Sequence, residues 1–326
     1  MLQRRRAGHW MTGGLAVVAA GAGLIVTASG CGSASDSKTN AAAVAPTKGY
    51  SDSSTVAELA AGLREGDARA LEAAHKRIAA KADAPRAAVT EAEAGEFVDL
   101  IAGIRTGFLK FPPAGRGAAT VAAATMIERF GIDPAPGRLM EVLKPTHDIY
   151  TAALTDADPE VRFVALGQTS KFWSWIPGRT LSEADESVIA DWKENLHRPV
   201  VRCLASGDVR TRAAAIYSLG FLPIDSAAAP ALAYLDDPAV EVRRQAIISF
   251  AARPTLLTED HLLQRIHDND GAISEASISA LKLRGLSQEQ ISLGGLMTSP
   301  RADQRASVVA LVKDRVDIDP VIWLLR

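Results

Sequence analysis

Aromatic residues make up only 5% of this 326-residue chain, and cysteine occurs twice, at Cys31 and Cys203. So few large rings argue against one large globular core, whereas abundant alanine suits helices that approach closely and stack. Two cysteines are too few for a disulfide framework. An excess of base is also missing. Residues 1–31 hold three Arg and no acid, leaving 33 basic against 38 acidic residues, a formal charge of −5. A nucleic-acid binder would need a net basic face, so that class is excluded as a general reading.

Catalytic signatures are equally scarce. There is no Gly-x-Ser-x-Gly elbow and no Asp-Phe-Gly element. Gly115-Arg-Gly117 follows Pro-Pro instead of a strand and lacks the lysine of a phosphate loop. In Asp268-Asn-Asp-Gly271 the calcium-loop register would put the first and last ligands on Ile266 and Ser277, neither a carboxylate. His261 and His267 are too far apart to share a helix face as a zinc pair. Cys203, in Val200-Val-Arg-Cys-Leu204, reads as a small buried core residue. The chain is therefore expected to be no enzyme and to need no metal or cofactor.

What is present is a period. From about Leu204 to Val312 one pattern returns every 31 residues, anchored on Arg212, Arg243, Ser274 and Arg305. Thr211, Val242, Ile273 and Gln304 precede these positions, and Leu219, Phe250, Leu281 and Val312 follow them. Upstream, Ser206, Asp237, Asp268 and Ser299 keep one small polar turn position. A helical unit of this length predicts an all-α, right-handed α-solenoid of stacked antiparallel helix pairs, each burying its apolar face against its neighbours.

The unit resembles the HEAT repeat. Asp236-Asp-Pro-Ala-Val-Glu-Val-Arg-Arg-Gln-Ala246 and Asp156-Ala-Asp-Pro-Glu-Val-Arg-Phe-Val-Ala165 look like that family's junction between first and second helices. The resemblance covers residues 146–312 and implies a structural ladder of Arg162, Arg212, Arg243 and Arg305 with Asp156, Asp237 and Asp268. Ser274 departs from its arginine position, and Ser206 and Ser299 from its aspartate position. An anion-binding track along the arginines is the alternative use of the same residues.

In chain order, residues 1–31 read as an export signal. A basic Met1–Arg6 precedes an apolar Leu15–Val26, and Thr27-Ala-Ser-Gly-Cys31 resembles a bacterial lipobox, with Cys31 as the lipid attachment site. An ordinary secretory signal, or an uncleaved anchor over about Trp10–Ala28, is the alternative. Residues 32–54 form a polar tether, and by resemblance to sorting signals Gly32 favours the periplasmic side of the outer membrane in a cell that has one. Helical pairs fill 55–139, opening on a capping box at Thr55-Val-Ala-Glu58 and breaking at Gly66-Asp67. Phe111–Gly117 reads as a turn, and Met140–Leu154 as a helix interrupted at Pro145. Residues 140–326 hold the HEAT-like repeats, with Asp317–Arg326 as a short terminal helix.

The step from Arg162 to Arg212 is 50 residues, which places an insertion at about 173–195. It contains Trp173, Trp175, Arg179 and Trp192. These are the candidate partner-binding residues, because insertions in solenoids emerge as loops and exposed aromatics favour recognition. Capping the end of a helix pair is the competing reading of the same rings. The expected function is a lipid-anchored, non-enzymatic protein–protein interaction scaffold at the cell envelope, with an unidentified protein partner. Stacking on envelope glycan or a small ligand is the alternative. Cys31→Ala should abolish lipidation and release the protein from the membrane fraction; an intact, unmodified N-terminus in that fraction of wild type, seen by mass spectrometry, would contradict the signal reading.

Overall fold

The computed structural model describes residues 49–51, 53–82, 89–132, 138–174, 182–222 and 225–313. The signal, Cys31 and most of the tether lie outside the described residues. So does the terminal segment Asp317–Arg326. Among the described residues the chain is all-helical, and no helix is long and apolar enough to cross a membrane.

The helices are α1 (Val56–Arg64), α2 (Ala68–Ala82), α3 (Glu91–Gly107), α4 (Pro113–Ile132), α5 (Leu139–Leu154), α6 (Pro159–Gly167), α7 (Thr169–Ser174) and α8 (Glu183–Asn195). They continue with α9 (His197–Cys203), α10 (Val209–Phe221), α11 (Asp225–Ala228), α12 (Val240–Phe250), α13 (Glu259–Arg265), α14 (Gly271–Leu283), α15 (Gln288–Met297) and α16 (Ala302–Val312). Short 3₁₀ segments span Phe108–Lys110 and Ala229–Asp236.

Local sequence chemistry sets many of these boundaries. Thr55 and Glu58 form the capping box of α1, with the Thr55 hydroxyl accepting from Glu58 N at 3.3 Å. Gly66 ends that helix at φ +77°, a left-handed conformation that glycine adopts without Cβ strain. Asp158, Asp208 and Asp270 each accept backbone N–H groups of the first turn of α6, α10 and α14. Tyr50, at the end of the stretch assigned to the tether, is half-buried and packs on the core.

One expected break is shorter than read and another is absent. Helix α4 begins at Pro113, so Gly115, Arg116 and Gly117 are helical and the turn is confined to Phe111 and Pro112. Proline is pre-organised for this position, where its missing N–H would have had no helical acceptor. Helix α5 also runs unbroken through Pro145. Burial of Val142, Leu143, Ile149 and Tyr150 on both sides of the proline outweighs one lost backbone bond.

Helix-to-helix packing follows chain order with a skip. Helices α2, α4, α6, α10, α12 and α14 each pack on the next in that series. A second series runs α1, α3, α5, α9 and α11, and α13 packs on α15. Cross-contacts of α1 with α2, α5 with α6, α9 with α10, α13 with α14 and α15 with α16 join the two. The core is continuous from Leu59 to Ile291. Helix α4 is surrounded by α2, α5, α6 and α7, and its Ala119, Ala122, Ala123, Ala124 and Met126 are all fully buried. A helix apolar on every side belongs in such a place, and its alanines let four neighbours approach.

Helices α1 and α3 approach closely, and a Cβ added at Gly107 would lie 1.8 Å from Leu63 O. Gly107→Ala should therefore push the two helices apart and lower stability by about 1–3 kcal/mol, the usual cost of overpacking. Gly167, at the end of α6, has nothing within 4 Å of a built Cβ. Gly167→Ala should leave stability unchanged or raise it by up to about 1 kcal/mol. Urea melts of the two variants check the contrast.

Candidate functional site

Two of the arginines at the repeated position, Arg212 and Arg243, each hold two turns at once. Arg212, on α10, donates Nη1 to Ser206 O at 3.0 Å and Gly207 O at 3.2 Å in the turn before its own helix. Its Nε and Nη2 fork onto the Asp237 carboxylate, both at 2.9 Å. Arg243, on α12, repeats this, with Nη1 on Asp237 O at 2.9 Å and Nε and Nη2 on Asp268 at 3.1 and 3.0 Å. The carboxylates are committed on their other side too. Asp237 Oδ1 accepts from Ala239 N at 2.8 Å and Asp268 Oδ1 from Asp270 N at 2.9 Å.

The Asp156 carboxylate is forked by Arg116, and Arg162 reaches only the Asp156 carbonyl. Arg116 Nε and Nη2 reach Asp156 at 2.6 and 2.9 Å, and its Nη1 donates to Phe111 O at 2.9 Å. The sequence reading missed this upstream rung because Arg116 and Asp156 are 40 residues apart where the later partners are 25 apart. The signal was an arginine five residues into a turn–helix junction, Phe111 to Arg116. Arg162 keeps the intra-turn half, donating Nη1 to Asp156 O at 2.6 Å and Ala157 O at 2.9 Å, while the turn ahead of it offers Ser206. Arg305 likewise donates to Ser299 O at 2.6 Å.

The serines keep one role of the residues whose positions they hold. Ser206 and Ser299 accept the N–H groups of Asp208 and Arg301, as the aspartates do two residues on. Ser274 donates to Ile266 O at 2.8 Å. A ladder of this geometry is occupied by its own turns. Arginines whose donors are spent on neighbouring turns have little left for an external anion track.

Electrostatics agree with pairing. Burial pushes the Asp237 carboxyl up, but the Arg212 hydrogen bonds, the Ala239 N–H and the Arg212 and Arg243 charges together hold it below the usual carboxylate range. Burial acts on Asp156 in the same way and is outweighed mainly by Arg116 and the Asp158 N–H.

The tryptophan insertion is only partly described. Trp175 and Arg179, and the side chain of Trp173, lie outside the described residues, although Trp173 falls within α7. The extra length contains α8, which packs on α9. Its Trp192 is half-buried and stacks on His147 of α5, with ring centroids 4.3 Å apart and planes 10° apart. Burial lowers the His147 pKa against the opposing pull of Asp148 and Asp191, which favours the neutral ring in the stack.

Cys203 is 4% exposed, with its Sγ 3.6 Å from Leu154 O, and burial pushes its thiol pKa up. A thiol held protonated in the core is not a nucleophile. Asp268 and Asp270, the calcium-like pair, are engaged by Arg243 and by the start of α14. His267 Nε2 meets Gly295 O at 2.8 Å and Thr298 Oγ1 at 3.1 Å, tying α13 to α15.

One surface feature was not read from the sequence. Tyr217 and Phe221 on α10, Ile248 on α12 and Leu283 on α14 are exposed, at 42%, 40%, 41% and 67%. Tyr217 and Ile248 occupy the same place in successive units, as do Phe221 and Leu283 two units on. No family model matches the chain, and no curated protein matches it.

Arg243→Ala should cost about 1–3 kcal/mol, because it takes the forked donor from a carboxylate that is 9% exposed and the donor shared by two carbonyls. Arg244→Ala, exposed one position along, should change stability by less than about 0.5 kcal/mol. Equal melting temperatures for the two variants would contradict the ladder's structural role. A pH series gives an independent check. Because the Asp237 pKa is depressed on folding, its contribution is complete above the unfolded value of about 3.9 and disappears as pH falls through the folded value. Asp237→Asn should be less stable than wild type near neutrality, and the gap should shrink steadily below about pH 4.

Proposed function

We propose that the chain is a right-handed α-solenoid of HEAT-like repeats of antiparallel helix pairs, held at the cell envelope by a lipid on Cys31. It works as a non-enzymatic scaffold for a protein partner. The observation that carries this reading is the exposed apolar run of Tyr217, Phe221, Ile248 and Leu283 across helices that pack in order, α10 on α12 and α12 on α14. A face shared by consecutive units suits an extended or helical partner. Exposed apolar side chains aligned in this way are a mark of interaction surfaces, whereas isolated ones are ordinary. The arginine ladder supports the same reading by fixing the spacing of the helices that present this face. A lipid and a polar tether would raise the scaffold's local concentration near the membrane.

Ile248→Ser combined with Leu283→Ser should lower the melting temperature by only a few degrees, since both side chains already face water. The same pair should remove the partner recovered by cross-linking in cells and mass spectrometry. Recovery of the same partner at wild-type yield would defeat the proposed face.

A further inference from the structure

A second arginine series, separate from the ladder, closes the far ends of the same helices. Arg253 and Arg284 are 31 residues apart. Arg253 donates Nη1 to Leu219 O at 3.3 Å, at the end of α10, and turns Nε and Nη2 onto Asp225. Thr255 Oγ1 holds the other Asp225 oxygen at 2.5 Å. Arg284 donates Nε to Ala251 O at 2.8 Å, at the end of α12. There the likeness stops. Nη1 and Nη2 of Arg284 are buried without a hydrogen-bond partner. One step of 31 beyond Asp225 lies Leu256, a buried apolar residue that offers no carboxylate.

A guanidinium withdrawn from water with two idle donors is costly, and a carboxylate is its best geometric match. Arg284 stands in the wall of an open cleft of about 270 Å³. Leu263, Leu286 and Met297 give that cleft an apolar side, and Gln290 adds an amide. Glu259 and Asp260 also line it, and the Glu259 charge acts on Arg284. Two acids oppose a multiply charged anion such as phosphate and leave room for a single negative charge.

We propose that this cleft binds a small apolar ligand ending in a carboxylate, which takes the place on Arg284 that Asp225 takes on Arg253. A free α-amino acid would direct its ammonium toward Glu259 and Asp260. The C-terminus of a polypeptide would present a neutral amide there. Both share the carboxylate, and neither source is required by the partner face on α10, α12 and α14.

The test is calorimetric titration of the full chain with L-leucine, N-acetyl-L-leucine, L-leucinamide and inorganic phosphate. Leucine or N-acetyl-leucine should bind, and leucinamide and phosphate should not. Tighter binding of leucine would identify a free amino acid, and tighter binding of N-acetyl-leucine a chain terminus. Arg284→Gln should weaken the binding about tenfold or more, the worth of a charge-assisted pair. Glu259→Gln, which leaves the Arg284 contact with Ala251 in place, should strengthen N-acetyl-L-leucine binding several-fold and covers the case in which Arg284→Gln does not fold. Equal binding of leucinamide, no binding by any carboxylate probe, or weaker N-acetyl-L-leucine binding in Glu259→Gln would overturn the proposal. The last outcome would show that Glu259 contributes to the ligand contact instead of opposing it.

Discussion

The register of the repeated turns in this molecule depends on one guanidinium geometry. An arginine early in a helix has its Nη1 within reach of the carbonyls of the turn it has just left. Its Nε and Nη2 point away together, in the fork that a carboxylate matches. Arg116, Arg212 and Arg243 use both halves. The acid they reach sits in the next turn and also receives the N–H two residues on, so each bonded pair fixes two turns and the start of a helix. Lysine, with a single point of charge, would satisfy only one of these demands.

The places where the ladder lapses show what it costs to lose. Between α14 and α16 both members have changed, to Ser274 and Ser299, and each serine satisfies nearby backbone groups. Removing both partners of a polar pair is far cheaper than removing one, because no charge is left buried and unpaired. At Arg162 the acid alone has been replaced, and the arginine falls back on its own turn. The apolar contacts then hold the helices together. These are built from small residues in α4 and from Ile, Leu and Phe farther on, in a core that runs from Leu59 to Ile291. Ladder and core have different jobs: burial supplies the attraction, and the forks set the register.

The helical fold was legible because a 31-residue step with alternating caps leaves few other solutions, and Asp237, Asp268, Arg212 and Arg243 could be placed by counting. Arg116 could not. Its partner lies 40 residues away, across the long helices α4 and α5, and no period spans that distance. Pro113 and Pro145 misled for a related reason. Proline reads as a breaker, yet the first opens a helix and the second is outweighed by the core around it. The exposed run on α10, α12 and α14 was invisible in sequence because solvent-facing and core-facing apolar residues look alike until the helices have neighbours.

A periodic chain gives every unit the same contacts, so any distinction between units has to come from a departure. The departures here are local and physically distinct. The step between Arg162 and Arg212 is lengthened, and α8 brings Trp192 onto His147. At the far ends of the helices, Arg253 has the acid that Arg284 lacks. The first adds a helix without disturbing the forks on either side, because α6 still packs on α10. The second removes an acceptor without removing the donor, and that asymmetry is unfavourable for folding alone. A core residue, Leu256, stands where the acid would recur, so the site has given up an ion pair for burial while keeping the arginine. Arg162, which also lacks its acid, spends Nη1 on its own turn, whereas both Nη nitrogens of Arg284 are idle, and that is where an external group has most to offer.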